Sequence, residues 1–378
     1  MVRNSRMRLD FREIILKDLS KKMVFLVGPR QAGKTWLSKS IRNSDFVYLN
    51  YDNDADKKII DNRAWDPLAK LIILDELHKR PDWKNFIKGI YDKRNPNQEF
   101  LVTGSARLDI YRNTGDSLSG RYFTHRLLPF VPRDLVGTKW EGDLSRLLER
   151  GGFPEPFLAE DAVEADRWRL QYVDGLIRED VFTIDTVENL KSLQSVLRLL
   201  QSRVGSPISY TSIAEDVHIS PNTVKKYIGL LEALFIVFKV PPFSKNIARS
   251  LIKEPKIYFF DTGLVVNDTG SRFENLTALS LLSHCYRRED WMGKRTSLHY
   301  IRTKEKKEVD FLIAEDEEPT LLIEAKYQDE KISPTLRYFS DKYKIPGVQV
   351  VLHLDSEYQE NLIKVKKAEK FLVAQNLV

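Results

Sequence analysis

Met23–Ile41 reads MVFLVGPRQAGKTWLSKSI, and this stretch decides the fold of the first third of the chain. The apolar residues Met23 to Val27 suit a strand buried on both faces. Gly28-Pro29-Arg30-Gln31-Ala32-Gly33-Lys34-Thr35 follows, and a helix opens there, running on through Trp36. The spacing G-x-x-x-x-G-K-[ST] between a strand and a helix is that of a phosphate-binding loop. Its glycines let backbone N–H groups turn inward around phosphates, and the helix points its positive end at them. Lys34 is then placed for the β- and γ-phosphates of ATP, and Thr35 for Mg²⁺. The run Gly28–Trp36 is the candidate nucleotide-binding segment. The competing reading, a glycine turn before a helix, leaves the strand–loop–helix order unexplained.

Further strands follow outward from this loop: DFVYLN at 45–50, KLIILD at 70–75 and EFLVTG at 99–104. They alternate with helical segments, the pattern of an α/β domain with a parallel sheet. Asp75 closes the apolar run Leu71–Leu74, at the carboxyl end of a strand, where ligands collect in open α/β sheets. It is a candidate Mg²⁺ residue, and Glu76 beside it can orient and deprotonate an attacking water. An acidic helix cap is the plainer alternative. Thr103 and Ser105, after the next strand, can sense the γ-phosphate or position water; each can equally cap a helix. Arg121, in SLSGRYF, can neutralise charge in a transition state, from its own chain or a neighbouring subunit. A surface ion pair competes with that role, and Arg107 and Arg30 are rival candidates.

A chain of 378 residues exceeds one compact core, so two or three domains are expected. The segments read as 1–138, 139–245 and 246–378. Hydrophobic residues at 42% and charged residues at 30% fit a soluble globular protein. No apolar run reaches the roughly 20 residues of a membrane helix, and the first residues lack the apolar core of a signal peptide. A single cysteine, Cys285, excludes an internal disulfide and points to a reducing cytoplasm. The net charge of +6 permits an anionic partner.

The middle segment holds a helix-turn-helix pattern. Thr211 or Ser212 opens a short helix, His218-Ile219 turns, and Ser220 caps a second helix with Pro221 at its first position. FIVFKVPPF follows as a β-wing. In a DNA-binding role the exposed start of the second helix, Asn222, Thr223, Lys225 and Lys226, meets the duplex, the lysines mostly on phosphates. Winged helices also serve as lids or dimer contacts, and that reading stays open.

In the last segment, KEVDFLIAEDEEPTLLIEAK (307–326) reads as a hairpin, with strands from Glu308 to Ala314 and from Thr320 to Lys326. A reversal centred near Glu317 sets Asp310 opposite Glu324 and puts Lys326 on the face of Glu324. Glu274, at the start of RFENLTALSLLSHCY, can add a third carboxylate. Carboxylates from two strands and a helix suit Mg²⁺ or Mn²⁺, which can activate water and clamp a phosphodiester. Cross-strand ion pairing is the alternative for the same residues.

GPRQAGKT, LIILDE, LVTGSAR, SLSGRYF and GGFPEPF, in this order, resemble a group of prokaryotic AAA-like P-loop ATPases near the signal-transducing STAND branch. The resemblance covers nearly the whole chain. It implies an AAA-type core, a winged helix and a restriction-endonuclease-like C-terminal domain. Lys34 and Thr35 correspond to phosphate and Mg²⁺ contacts, and Asp75 and Glu76 to the metal and water residues. Glu274, Asp310, Glu324 and Lys326 fit the metal and catalytic positions of the nuclease fold. The expected activity is Mg²⁺-dependent ATP hydrolysis associated with DNA, with nucleotide state controlling the C-terminal domain. The alternative is a nucleotide switch that binds partners without cleavage, with homo-oligomers and no membrane association expected.

Overall fold

The computed structural model describes residues 7–104, 118–180, 189–244, 254–266, 268–328 and 331–374. They form two compact units, Met1–Leu128 and Pro129–Val378. The division precedes the expected boundary at 138 because Phe130 already donates its N–H to the Gly152 carbonyl, 2.6 Å away.

In the first unit, β1 (Met23–Val27), β2 (Phe46–Asn50), β3 (Leu71–Asp75), β4 (Glu99–Gly104) and β5 (Tyr122–Arg126) form one parallel sheet. The order is β2-β3-β4-β1-β5. β4 lies between the strand that feeds the phosphate loop and the strand that ends in Asp75. Ile72, Leu74, Phe100 and Val102 pack with Phe86, Ile87 and Ile90 of the helix Trp83–Asp92. β5 escaped the sequence reading, since Tyr122–Arg126 carries polar residues and only His125 is fully buried.

The second unit begins with helices and reaches the helix-turn-helix segment, Tyr210–Val217 and Pro221–Ala233. Ser209 caps the first of these, two residues before the expected Thr211 and three before Ser212, by accepting from the Ser212 N–H. His218 turns with φ 59°. Ser220 caps the second helix through the Thr223 N–H at 3.0 Å, with Pro221 at the first position. β6 (Val237–Val240) then pairs antiparallel with β7 (Lys256–Phe259). The pairing crosses the expected boundary at 245, so the wing strand's partner comes from the third segment.

The remaining strands, β8 (Thr296–Arg302), β9 (Glu308–Glu315), β10 (Glu318–Lys326), β11 (Gly347–Val351), β12 (Tyr358–Glu360) and β13 (Ile363–Lys367), form a mixed sheet. Its order is β12-β13-β11-β10-β9-β8. The helix Pro334–Tyr343 covers one face through Leu336 and Phe339, packed on Leu312, Ala314 and Leu322. The β9–β10 turn is tighter than the sequence suggested: only Asp316 and Glu317 turn, both at positive φ, the geometry of a two-residue hairpin. A bulge between Pro319 and Leu321 then restores the register centred on Glu317, with Ile323 opposite Phe311. No helix among the described residues is long and apolar enough to cross a membrane.

Candidate functional site

The phosphate loop leaves β1 at Gly28, whose φ is 152°. A Cβ there would lie 2.1 Å from the Leu127 carbonyl oxygen, so no side chain fits. Gly33, at φ 91°, and Gln31, at φ 59°, complete the inward turn. Ala32 is buried, Arg30 is partly exposed, and Trp36 keeps 44% of its surface in solvent, on the helix Lys34–Ser40. Trp36 thus stands away from the buried heart of the loop.

Lys34 is buried, and its ammonium donates to the carbonyls of Gly28 (3.1 Å) and Pro29 (2.6 Å). Burial pulls its pKa down to about 8, against the pull of Glu76 and Asp75. Loop carbonyls therefore hold the amine where phosphate oxygens would otherwise receive it. A residue that the sequence reading missed supports the loop from beneath. Arg8, buried, donates to the carbonyls of Ala32 (2.6 Å) and Leu128 (2.5 Å). Its signal was only one of three arginines, Arg3, Arg6 and Arg8, ahead of the first helix.

Asp75 is the centre of the site. Its Oδ2 accepts from Thr35 Oγ1 at 3.0 Å and from the Tyr48 hydroxyl at 2.7 Å. Its Oδ1 accepts from the Glu76 N–H at 3.1 Å and from the Thr103 hydroxyl. Burial, and then the Asp75 carboxylate, push the Tyr48 pKa up, so this hydroxyl stays a donor. A hydroxyl and a carboxylate 3.0 Å apart beside a phosphate loop fit Mg²⁺, which takes few protein ligands and completes its shell with phosphates and water. Thr35 and Asp75 are the residues that would hold it, and the ion would supply charge neutralisation on the phosphates.

Thr103 differs from its expected role. It is fully buried and aimed at Asp75, a positioning contact rather than a sensor open to the γ-phosphate. Ser105 and Arg107 lie outside the described residues. Glu76 adopts φ 55° and carries its carboxyl 3.5 Å from His78 and 3.7 Å from Lys79. Burial raises its pKa, with Lys79 and Lys34 opposing, which suits a group that must take up a proton.

Arg121 is a correction. It immediately precedes β5, and Tyr122 pairs with Met23, so it sits where β1 begins. Five residues of strand, about 16 Å, separate that end from the loop. Its guanidinium binds Asp92 at 2.8 Å instead. It cannot reach a phosphate held by its own loop. Arg126, at the other end of β5, pairs with Val27 beside the loop.

In the second unit, Asn222, Lys225 and Lys226 are exposed at the start of the second helix, and Thr223 is partly exposed. The Lys225 ammonium lies 5.3 Å from the Tyr210 ring centroid.

The hairpin residues do converge. The Asp310 N–H donates to Glu324 Oε2 at 3.4 Å, and the Ala325 N–H to Asp310 Oδ2 at 3.1 Å. Lys326 binds Glu324 at 2.9 Å, and Ser333 donates to it at 3.3 Å. Burial, then Asp310, push Glu324 up to about 7. Glu274 joins through a residue the sequence reading did not single out, Lys256. Its amine, with no solvent exposure, lies 2.9 Å from Glu308, 3.3 Å from Asp310 and 3.4 Å from Glu274. Burial alone would lower its pKa; Asp310, Glu274 and Glu308 reverse this and drive it up. Tyr258 donates to Glu274 Oε1 at 2.7 Å, while a Cβ on Gly205 would meet Glu274 Oε2 at 2.5 Å. Among the described residues no three acidic, histidine or cysteine side chains are disposed to hold a metal. The expected Mg²⁺ or Mn²⁺ at Glu274, Asp310 and Glu324 finds no support, because an ammonium stands among the first two and Glu274 already binds Tyr258 and Lys256.

Residues 20–136 match the family described as an AAA domain, 141–272 a domain of unknown function (DUF8612), and 269–370 another (DUF4143). Two uncharacterized proteins, of Mycobacterium tuberculosis and Mycobacterium bovis, are each 28% identical over 249 residues, 64% of this chain. The chain spans about half, 55%, of the length of these two relatives. An uncharacterized protein of Haemophilus influenzae is 24% identical over 374 residues, covering 87% of this chain and 92% of that one. A Walker-type ATPase of Pyrococcus abyssi, 13% identical, superposes at a TM-score of 0.45 over 69% of this chain and 95% of its own.

Proposed function

We propose, from the match of residues 20–136 to an AAA domain and of residues 269–370 to DUF4143, that the chain is a Mg²⁺-dependent, ATP-hydrolysing switch acting on DNA. The observation that carries the hydrolytic half is Asp75. It gathers Thr35, Tyr48 and Thr103, and Glu76 follows it with a carboxyl whose pKa burial raises. Lys34 and the loop N–H groups hold the phosphates. Thr35 and Asp75 would hold the ion, which would neutralise charge on the phosphates, and Glu76 takes a proton from the attacking water. The transition-state arginine is Arg30 or Arg126 at the loop end of the sheet, Arg107 outside the described residues, or an arginine of a neighbouring copy. Phosphate release with Mg²⁺, with and without duplex DNA, tests this. No turnover in either case, or turnover equal to that of Lys34→Ala, overturns it.

DNA contact rests on Asn222, Thr223, Lys225 and Lys226, presented at the start of a capped second helix with a two-stranded wing behind it. The lysines favour phosphates, so binding is salt-dependent and weakly selective. The second reading is a switch that captures partners without cutting them, and the Lys256 geometry favours it for the C-terminal sheet. It predicts that ATP changes the mass seen by light scattering with Glu76→Gln; an unchanged mass refutes an oligomerising switch.

A further inference from the structure

Glu274, Glu308 and Asp310 converge into a carboxylate cradle, and a lysine fills it. We propose that Lys256 is the resident cation of this cradle. Its ammonium takes the place of a divalent metal and makes the C-terminal sheet a non-cleaving module locked to the helix-turn-helix segment. The inference deepens the switch reading but does not depend on ATP turnover.

Three observations carry it. First, the amine has no solvent exposure and lies 2.9–3.4 Å from carboxylates on β9 and on the helix Thr269–Met292. A buried ammonium is stable only where acids surround it, and here they do. Second, charge is nearly matched. Glu274, Glu308, Asp310 and Glu324 face Lys256, Arg302 and Lys326, with Arg302 at 3.4 Å from Glu308. Four acids against three cations leave little charge to draw a divalent ion from water. Third, the ligands are already engaged. Glu274 Oε1 takes the Tyr258 hydroxyl and Lys256, and Asp310 Oδ2 takes the Ala325 N–H.

The same residue adds a link between the wing and the sheet, beside the backbone bonds of Pro241 and Phe243 with Tyr300. Lys256 opens β7, which pairs with β6 after the helix-turn-helix. Its backbone bridges to Pro207, and the Pro255 carbonyl accepts from the Ile208 N–H at 3.0 Å, at the start of the helix-turn-helix. Its side chain reaches the sheet. One residue thus clamps the start of the DNA-facing segment to the cradle, and the clamp needs no metal.

The test is Mn²⁺ uptake by the full chain, read from the electron paramagnetic resonance of free Mn²⁺ without nucleotide. All proteins carry Asp75→Asn to silence the phosphate-loop ion. The parent and its Asp310→Asn derivative should take up the same Mn²⁺. Lys256→Ala should gain one Mn²⁺ per chain, and Lys256→Ala with Asp310→Asn should lose it again. Overturning results are a parent site that Asp310→Asn removes, or a folded Lys256→Ala that gains none. If Lys256→Ala does not fold, the parent comparison decides alone. Failure of this test, with normal ATP turnover in the chain that keeps Asp75, would sink the cation assignment and leave the ATPase reading intact.

Discussion

Asp75 accepts from the hydroxyls of Thr35, Tyr48 and Thr103, and removing the last two one at a time gives an ordered pair of effects. Thr103→Val keeps the side-chain shape and deletes one donor to Oδ1, leaving the Glu76 N–H there. Thr103 has no solvent exposure, so no water replaces the hydroxyl. A hydrogen bond to a buried charge contributes about 1.5–3 kcal/mol. If the loss falls on the Mg²⁺–nucleotide state, kcat/KM drops by about 13- to 160-fold at about 1.36 kcal/mol per decade. Tyr48→Phe deletes the 2.7 Å bond to Oδ2. Tyr48 is partly exposed, and Thr35 still donates to the same oxygen. Water can enter, so the loss is about 1–1.5 kcal/mol, or about five- to 13-fold. The assay is phosphate release over a Mg²⁺ titration. The two variants should raise the Mg²⁺ needed for half-maximal rate, Thr103→Val more than Tyr48→Phe. The reverse order, or an unchanged Mg²⁺ requirement in both, refutes the claim that these hydroxyls position a metal-holding carboxylate.

Nucleotide affinity should weaken as pH rises through 8, by up to about tenfold per unit, because Lys34 loses its proton in the free protein and must regain it on binding phosphate. Its folded pKa lies below the unfolded 10.5, so the nucleotide-free fold should gain stability over that same rise; calorimetric affinities and melting curves from pH 7 to 10 check both signs. Glu76→Gln should retain ATP binding and lose about 100-fold or more in turnover, the scale of a general base; stopped-flow binding beside steady-state rates separates the two. Lys256→Met strands three carboxylates that keep some solvent contact, so the low end for a broken buried pair, about 3 kcal/mol, applies. Calorimetry should place melting of the second unit about 6–12 °C lower, and an unchanged melting temperature would contradict the pairing. Replacing both Lys225 and Lys226 with alanine should weaken DNA binding and reduce the slope of log affinity against log salt by about 2; fluorescence anisotropy at several salt concentrations measures it.

The legible parts of this protein were those fixed by short spacing or strict alternation. Gly28 to Thr35 reveals itself because a phosphate loop needs glycine at fixed offsets between a strand and a helix. Asp75 follows because a run buried on both faces must end at the ligand edge of a parallel sheet. The pairing of Asp310 with Glu324 followed from a two-residue period, although the reversal reached it by another route. A tighter turn at Asp316-Glu317 offset by a bulge gives the same register as the longer turn inferred.

Other assignments depended on which end of a strand faces which neighbour. Arg121 sits on a glycine turn before a strand, and nothing local says at which end of the sheet that turn lies. The parallel pairing of β5 with β1 sends it to the far end and to Asp92. Thr103 looked like a sensor because it ends a strand beside the loop, and only the packing turned it onto Asp75.

The sequence alone therefore determined the phosphate loop, the acidic strand end, the capped second helix and the carboxylate hairpin, because each announces itself by local spacing or alternation. Tertiary structure decided what those groups face. Arg8 reaches Ala32 across 24 residues, and Lys256 reaches Asp310 across 54. The charge on a buried lysine is readable from its letter; the carboxylates that keep it charged are gathered only when the chain folds.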